Sequence, residues 1–378
     1  MSRIALILAA AFVSWTTALH AAPAAPRVVQ PLDANWRFLQ SDAPNAQRPA
    51  FDDASWRTVT LPHDWAIAGP IDQANKTGQG GGFFPAGIGW YRKTFSITPQ
   101  PGHRTFVVFD GVMANSDVYC NGVLLGHHPY GYTSFYYDLT PQLHSGPNTL
   151  AVRADNSQQP ASRWYPGAGI NRHVRLVTVA DTHIEPWGTF VTTPEVSAAS
   201  ATIHVRSSIL SESTTPGSVS LAVTLIAPNG RAVKTFASSV ATLAPNAAAD
   251  LNAETTIPNP DRWDLDHPAL YTVKATLLRN GRPVDNEDVA IGIREFHFDP
   301  DQGFFLNGRH HKIYGAALHT DAGAVGTAVP LTQWQLRLTA LRKLGVNAIR
   351  TAHNPPAPEF LDLADRMGFL AMDEMFDC

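Results

Sequence analysis

Thr332-Gln-Trp-Gln-Leu-Arg-Leu-Thr-Ala-Leu-Arg-Lys-Leu-Gly-Val-Asn-Ala-Ile-Arg350 and Pro358-Glu-Phe-Leu-Asp-Leu-Ala-Asp-Arg-Met-Gly-Phe-Leu-Ala-Met372 decide the fold of this chain of 378 residues. In the first stretch Trp334, Leu338, Leu341 and Leu344 recur on one helical face, Thr332 is placed to cap the helix, and Gly345 to stop it. Val346 to Arg350 then reads as a strand. In the second stretch Pro358 sits near the start of a helix whose apolar face carries Phe360, Leu363, Ala364 and Met367, and Phe369 to Met372 reads as another strand. With a first strand expected at His311 to Tyr314, three strands and two crossovers make a parallel βαβαβ unit. A doubly wound nucleotide fold would need a glycine-rich phosphate loop after the first strand, and Gly315 alone is not one. The unit is therefore read as the first strands of a (β/α)8 TIM barrel, incomplete within residues 296–378 because such barrels need about 250 residues.

Upstream the pattern is all β. Residues 182–295 alternate in segments such as Ala201 to Val205, Val219 to Leu225 and Tyr271 to Leu278, with turn signals at Asn229-Gly230 and Asn280-Gly281, and predict an immunoglobulin-like sandwich. Residues 25–181 predict a jelly roll, with strands at Thr105 to Phe109 and Ser116 to Cys120 and a hairpin signal at Asn121-Gly122 before Val123. This stretch is rich in rings: Trp36, Trp56, Trp65, Trp90, Tyr91, Tyr130, Tyr132, Tyr136, Trp164 and Tyr165. Rings suit sugar faces, but for each of them a place in the core is the stronger expectation.

With 44% hydrophobic and 16% charged residues the chain has the composition of several folded domains. A formal net charge of −4 with scattered Lys and Arg gives no footprint for a polyanion, so no nucleic acid partner is expected. Arg3, the apolar run Ile4 to Val13 and the small residues Ala21 to Ala25 read as a signal peptide over residues 1–24, which implies a secreted or periplasmic protein. That run is shorter than the ~20 residues of a spanning helix, and no later segment qualifies, so no membrane partner is expected. Cys120 and Cys378 do not suggest a disulfide framework, and Cys120 is expected as a buried thiol.

In a barrel, side chains just after each strand gather at the C-terminal face where substrates bind. Those positions hold His319 with Asp321, Arg350 with His353 and Asn354, and Asp373 with Glu374. Any one of them alone would pass as loop polarity; their recurrence at successive strand ends suggests a site for sugar hydroxyls.

Asn347-Ala-Ile-Arg-Thr-Ala-His353-Asn-Pro-Pro-Ala-Pro358, with Phe360-Leu-Asp-Leu-Ala-Asp365, Gly368-Phe-Leu370 and Met372-Asp-Glu-Met-Phe-Asp377, resembles the signature of glycoside hydrolase family 2, the β-galactosidase and β-glucuronidase type. Gly303-Phe-Phe-Leu-Asn-Gly308, Gly315-Ala-Ala-Leu-His-Thr-Asp321 and Gly326-Thr-Ala328 are similar to the family's lead-in to the barrel. Leu61-Pro-His-Asp-Trp65, Gly89-Trp-Tyr-Arg92 and Arg163-Trp-Tyr-Pro-Gly-Ala-Gly-Ile-Asn-Arg172 are similar to its sugar-binding domain.

The resemblance implies a retaining exo-β-glycosidase, most simply of the β-galactosidase type, that hydrolyses terminal non-reducing β-glycosides. Retention needs an acid/base and a nucleophile ~5–5.5 Å apart across the scissile bond. In the family the acid/base follows an Asn after the fourth strand, and this chain has no Asn-Glu pair after Asn286-Glu287. Both catalytic glutamates are thus expected beyond Cys378, with the chain as the N-terminal portion. Asp373 and Glu374, as strand neighbours, point to opposite faces and are expected as supports. Substrate contacts carried over are His319, Arg350, His353 and Asn354, with Asp64 and Arg163 reaching in from the first domain. A family subset binds Mg²⁺ through a Glu where this chain has Cys378, so no metal or other cofactor is expected. The rival expectation is a non-catalytic carbohydrate-binding protein that uses the first sandwich. Galactoside, glucuronide and mannoside members share these signatures, which leaves the sugar open, and the sequence is compatible with a homo-oligomer.

Overall fold

The computed structural model describes residues 27–375; the expected signal peptide at 1–24 and Cys378 lie outside the described residues. Residues 27–180 form two antiparallel sheets packed face to face. One has four strands in the order Arg27–Pro31, Val174–Ala180, His103–Phe109, Phe135–Asp138. The other has six, in the order Arg57–Val59, Trp36–Leu39, Ile88–Ile97, Gly146–Asp155, Ser116–Cys120, Val123–His128. Alternate residues of Ser116–Cys120 are buried, and the chain reverses at Asn121-Gly122, where φ is 50° and 87°, so that Cys120 pairs with Val123. Trp36, Trp65 and Tyr91 lie in the sandwich core, Trp56 and Trp90 in a smaller cluster beside it, and Tyr132 is buried outside both. Cys120 is a buried free thiol whose pKa burial pushes up to about 11.

A second sandwich follows. Thr182–Val196, Ser200–Ser211 and Ala248–Pro258 form one sheet; Ala232–Ala237, Gly217–Ile226, Tyr271–Arg279 and Arg282–Ile291 form the other, with Ala241–Leu243 added beside Gly217–Ile226. Its core is the product of period-two alternation, Ile203 and Val205 against Leu221, Val223, Val273 and Ala275. Arg27 joins the two sandwiches by gripping the fully buried Asp285 with Nε at 3.0 Å and Nη2 at 2.7 Å.

The entry of the chain into the parallel sheet differs from expectation. Phe296–Asp299, Gly303–Leu306 and Arg309–His311 form a small antiparallel sheet, because Asn307 and Gly308, at φ 52° and 75°, fold the chain back. The first parallel strand is therefore not His311 to Tyr314 but β1, Gly315–Leu318. Asn347 fixes that start: its Oδ1 accepts from the Tyr314 amide at 2.8 Å and its Nδ2 donates to the Lys312 carbonyl at 2.9 Å. Helix α1 (Leu331–Lys343), strand β2 (Ala348–Thr351), helix α2 (Pro358–Met367) and strand β3 (Leu370–Asp373) complete the βαβαβ unit.

Thr332 is not the cap of α1, since Pro330 precedes the helix and no side chain caps it. Trp334 and Leu338 are buried, but Leu344 lies past the helix end and is 80% exposed. On α2 Phe360, Leu363 and Ala364 are buried, and Gly368 ends the helix in the left-handed conformation at φ 72°. Among the described residues no helix is long and apolar enough to cross a membrane.

Candidate functional site

Leu318, Thr351 and Asp373 stand abreast at the ends of β1, β2 and β3, so the residues that follow emerge together. Arg350 Nε donates to Glu374 Oε1 at 2.6 Å, and Arg350 Nη2 lies 3.4 Å from His353 Nδ1. Glu374 Oε2 is 3.6 Å from the same His353 nitrogen and is buried with no hydrogen-bond partner among the described residues. The exposed His319 meets His353 edge to face, with ring centroids 5.2 Å apart. The strand ends thus bring together His319, Arg350, His353 and Glu374.

Asp373 turns elsewhere. Its Oδ1 accepts from Thr351 Oγ1 at 3.1 Å, while the Glu374 amide donates to that same hydroxyl at 3.1 Å. The two adjacent carboxylates therefore have different partners, as the alternation of a strand dictates.

The jelly roll supplies a wall. Trp164 lies on His353 with ring centroids 4.7 Å apart, and its Nε1 donates to the Tyr132 hydroxyl at 3.2 Å. Burial raises the Tyr132 pKa, which keeps the phenol neutral. Tyr130 packs on Tyr132 and donates through its hydroxyl to the Met375 carbonyl at 2.8 Å. Beneath them the buried Arg172 donates to the Tyr132 and Pro355 carbonyls, each at 2.7 Å, so one guanidinium clamps the wall to the loop after β2. Desolvation lowers its pKa, opposed chiefly by the charge of Glu359.

Asp64 is placed as an interdomain joint rather than on the open side of the cluster. It is 4% exposed, and Oδ1 accepts from the amides of Ala66 and Ala168, both at 3.1 Å. Its Oδ2 accepts from the Tyr165 hydroxyl at 2.8 Å, the Thr327 amide at 2.9 Å and the Thr327 hydroxyl at 3.0 Å. Burial raises its pKa against the pull of the Thr327, Tyr165 and Ala66 donors. Gly167, at φ 79°, makes room for the joint, since a Cβ there would lie 2.0 Å from Thr327 Oγ1. Asn354 is 1% exposed, with both amide atoms lacking partners among the described residues. Arg163 is exposed on the loop just before Trp164. Among the described residues no group of three or more His, Cys, Asp or Glu could hold a metal ion.

Trp164, Tyr132, Thr351 and Arg172 were not expected as parts of the site. The run Arg163 to Arg172 carries a signal for two of them, whereas nothing in the sequence marks the role of Thr351.

Three family models match in order along the chain: "Glycosyl hydrolases family 2, sugar binding domain" over residues 29–180, "Glycosyl hydrolases family 2" over 182–294, and "Glycosyl hydrolases family 2, TIM barrel domain" over 300–376. The chain is 45% identical over 354 residues to beta-galactosidase BoGH2A of Bacteroides ovatus, covering 93% of this chain and 42% of that protein. It is 36% identical to a putative beta-glucuronidase of Formosa agariphila, covering 93% of this chain and 33% of that one. Among solved structures, a beta-glycosidase from Bacteroides vulgatus superposes with a TM-score of 0.85 at 37% identity, covering 92% of this chain and 44% of the other. The chain thus spans less than half the length of these relatives.

Proposed function

Because the chain belongs to glycosyl hydrolase family 2, we propose that it forms the sugar-recognising portion of a retaining exo-β-glycosidase of the β-galactosidase type, acting on terminal non-reducing β-glycosides. The observation that carries this reading is the cluster of His319, Arg350, His353 and Glu374 at the ends of three adjacent strands, walled by Trp164. A terminal sugar against His353 would offer an apolar face to Trp164, while the buried Glu374 carboxylate holds Arg350 and His353 in place.

Retention needs two carboxyl groups ~5–5.5 Å apart flanking one bond. Asp373 and Glu374 turn to Thr351 and Arg350 instead, so we assign them to positioning and place the acid/base and nucleophile on later barrel strands. The 45% identity to a beta-galactosidase favours galactosides over glucuronides. Burial of most jelly-roll rings leaves the rival reading, a sugar-binding protein without hydrolysis, with fewer contact surfaces. The leader-like residues 1–24 support an exported protein.

The intact protein should hydrolyse a chromogenic β-galactoside with a higher kcat/KM than the matching β-glucuronide or β-mannoside, and NMR of the first-formed product should show the β anomer. Release of the α anomer, or no turnover of any of the three, would remove the proposal.

A further inference from the structure

Lys76-Thr-Gly-Gln-Gly-Gly-Gly82 contributes no side chain to the principal core of the jelly roll, yet it is tightly built. Thr77 Oγ1 donates to the Phe84 carbonyl at 2.7 Å, and the Phe83 amide donates to the Gly78 carbonyl at 2.8 Å. The loop abuts the segment before Trp164, and Gly80 is the point of contact: a Cβ there would lie 2.9 Å from the Ser162 carbonyl oxygen and 3.1 Å from Arg163 Cα. The opposing segment is fixed as well. Ser162 Oγ donates to the Trp164 carbonyl at 2.7 Å, and the Ala161 amide donates to Gln159 Oε1 at 3.0 Å. Between them lies an open groove of about 820 Å³, within the range of ligand sites.

Among the described residues the charged groups that line this groove are Lys76 and Arg163, both cationic, and Thr77, Gln79 and Ser162 add hydroxyl and amide groups. No carboxylate among the described residues lines it. Such a lining suits a ligand that is both hydroxyl-rich and anionic. One step along the chain links the groove to the strand-end cluster: Arg163 lines the groove, and the next residue, Trp164, rests on His353.

We propose that this groove binds the sugar ring that follows the terminal one, and that it selects a ring carrying an anionic group, a carboxylate or a sulfate ester. The proposal rests on the glycosidase reading for the placing of the terminal sugar. Lys76 supplies long-range attraction from an exposed position, and the glycine-built walls keep the groove open before the ligand arrives.

The test is calorimetric binding to the intact protein of three non-hydrolysable, sulfur-linked β-galactosyl disaccharides whose second ring is neutral, a uronate or sulfated. At least one anionic ligand should bind about fivefold tighter than the neutral one, near the upper limit for an exposed ion pair, and the two anionic arms identify which group is preferred. That preference should vanish in Lys76→Ala and shrink at about 0.5 M NaCl. Hydrolysis of nitrophenyl β-galactoside, which has no second sugar, should be unchanged in Lys76→Ala. Equal affinity for all three, or a preference that survives Lys76→Ala, overturns the proposal. An anionic preference without any hydrolysis would keep the groove and remove the glycosidase reading; hydrolysis without the preference would do the reverse.

Discussion

Arg350 and Glu374 share a 2.6 Å hydrogen bond that ties the ends of β2 and β3 together and leaves the second carboxylate oxygen facing His353. The guanidinium sets where that oxygen stands. Arg350→Lys keeps the charge but loses the planar fork, and a shift of ~1 Å in a substrate-positioning group costs ~10²-fold. The expected result is a fall in kcat/KM of about 10²-fold for Arg350→Ala and about tenfold for Arg350→Lys, with thermal midpoints within a few degrees of the wild type. Unchanged kcat/KM in both variants would mean that the pair has no part in sugar recognition.

Trp164 touches His353 on one side and the Tyr132 hydroxyl on the other. Removing a ring that packs on a ligand costs ~1 kcal/mol, roughly fivefold in affinity. Trp164→Phe should keep most of the affinity for galactose or a galactoside inhibitor, whereas Trp164→Ala should weaken it about five- to tenfold. Inhibition constants for the two variants decide the matter, and equal values would exclude Trp164 as a sugar wall.

The five donors on Asp64 converge from three separate segments, and an amide cannot accept from all of them. Asp64→Asn turns an N–H toward donors, and urea unfolding should show a loss of about 2–3 kcal/mol. Gly167→Ala should cost at least as much, because both its positive φ and its contact with Thr327 oppose a side chain. Thr327→Ala removes a hydroxyl bond to Asp64 and is itself destabilising, so the comparison is a double-mutant cycle: Gly167→Ala should cost less in the Thr327→Ala background than in the wild type, and an equal cost in both would put the whole loss on the backbone.

Two histidines give stability opposite pH dependences. Burial, aided by Arg57, lowers the His63 pKa to about 4, so the unfolded chain takes up a proton at higher pH than the folded one. Its stabilisation is present above pH ~6.5 and is lost as pH falls toward 4, with roughly 2 kcal/mol gone by pH 5 and about 3 kcal/mol by pH 4. His173 is the reverse case: a 2.7 Å bond to Asp33 raises its pKa despite partial burial, with Glu359 4.0 Å from the other ring nitrogen. Its contribution is complete below pH ~6.5 and is lost as pH rises through the raised value, and at 40% side-chain exposure it should be only a fraction of a kcal/mol. Urea midpoints between pH 5 and 8 should therefore flatten on the acid side in His63→Gln and on the alkaline side in His173→Gln.

The strand-end residues were legible because a βαβαβ pattern fixes which positions follow each strand, whatever the exact strand limits. The first strand was misplaced for a physical reason: Ile313 and Tyr314 have the β-branched and aromatic character of a strand, yet they are 43% and 55% exposed and precede the pairing. Gly315, Ala316 and Ala317 have little propensity of their own and pair because β2 lies beside them. Asp64 looked like a substrate ligand because its sequence context cannot reveal donors from residue 327 arriving at its oxygens. Half of the jelly-roll rings lie in core clusters, as burial leads one to expect, but Trp164, which faces His353, could be told from the others only in three dimensions.

The Asp64–Thr327 joint makes the first domain a poor unit of exchange. Its carboxylate is completed by an amide and a hydroxyl that belong to the loop between β1 and α1, some 260 positions downstream. A chimera that takes its jelly roll from one relative and its barrel from another would inherit a matched seam only if residues 64, 167 and 327 travelled together. Lineages in which that trio drifts apart should be unable to recombine at the boundary near residue 181 without losing the wall on which Trp164 stands.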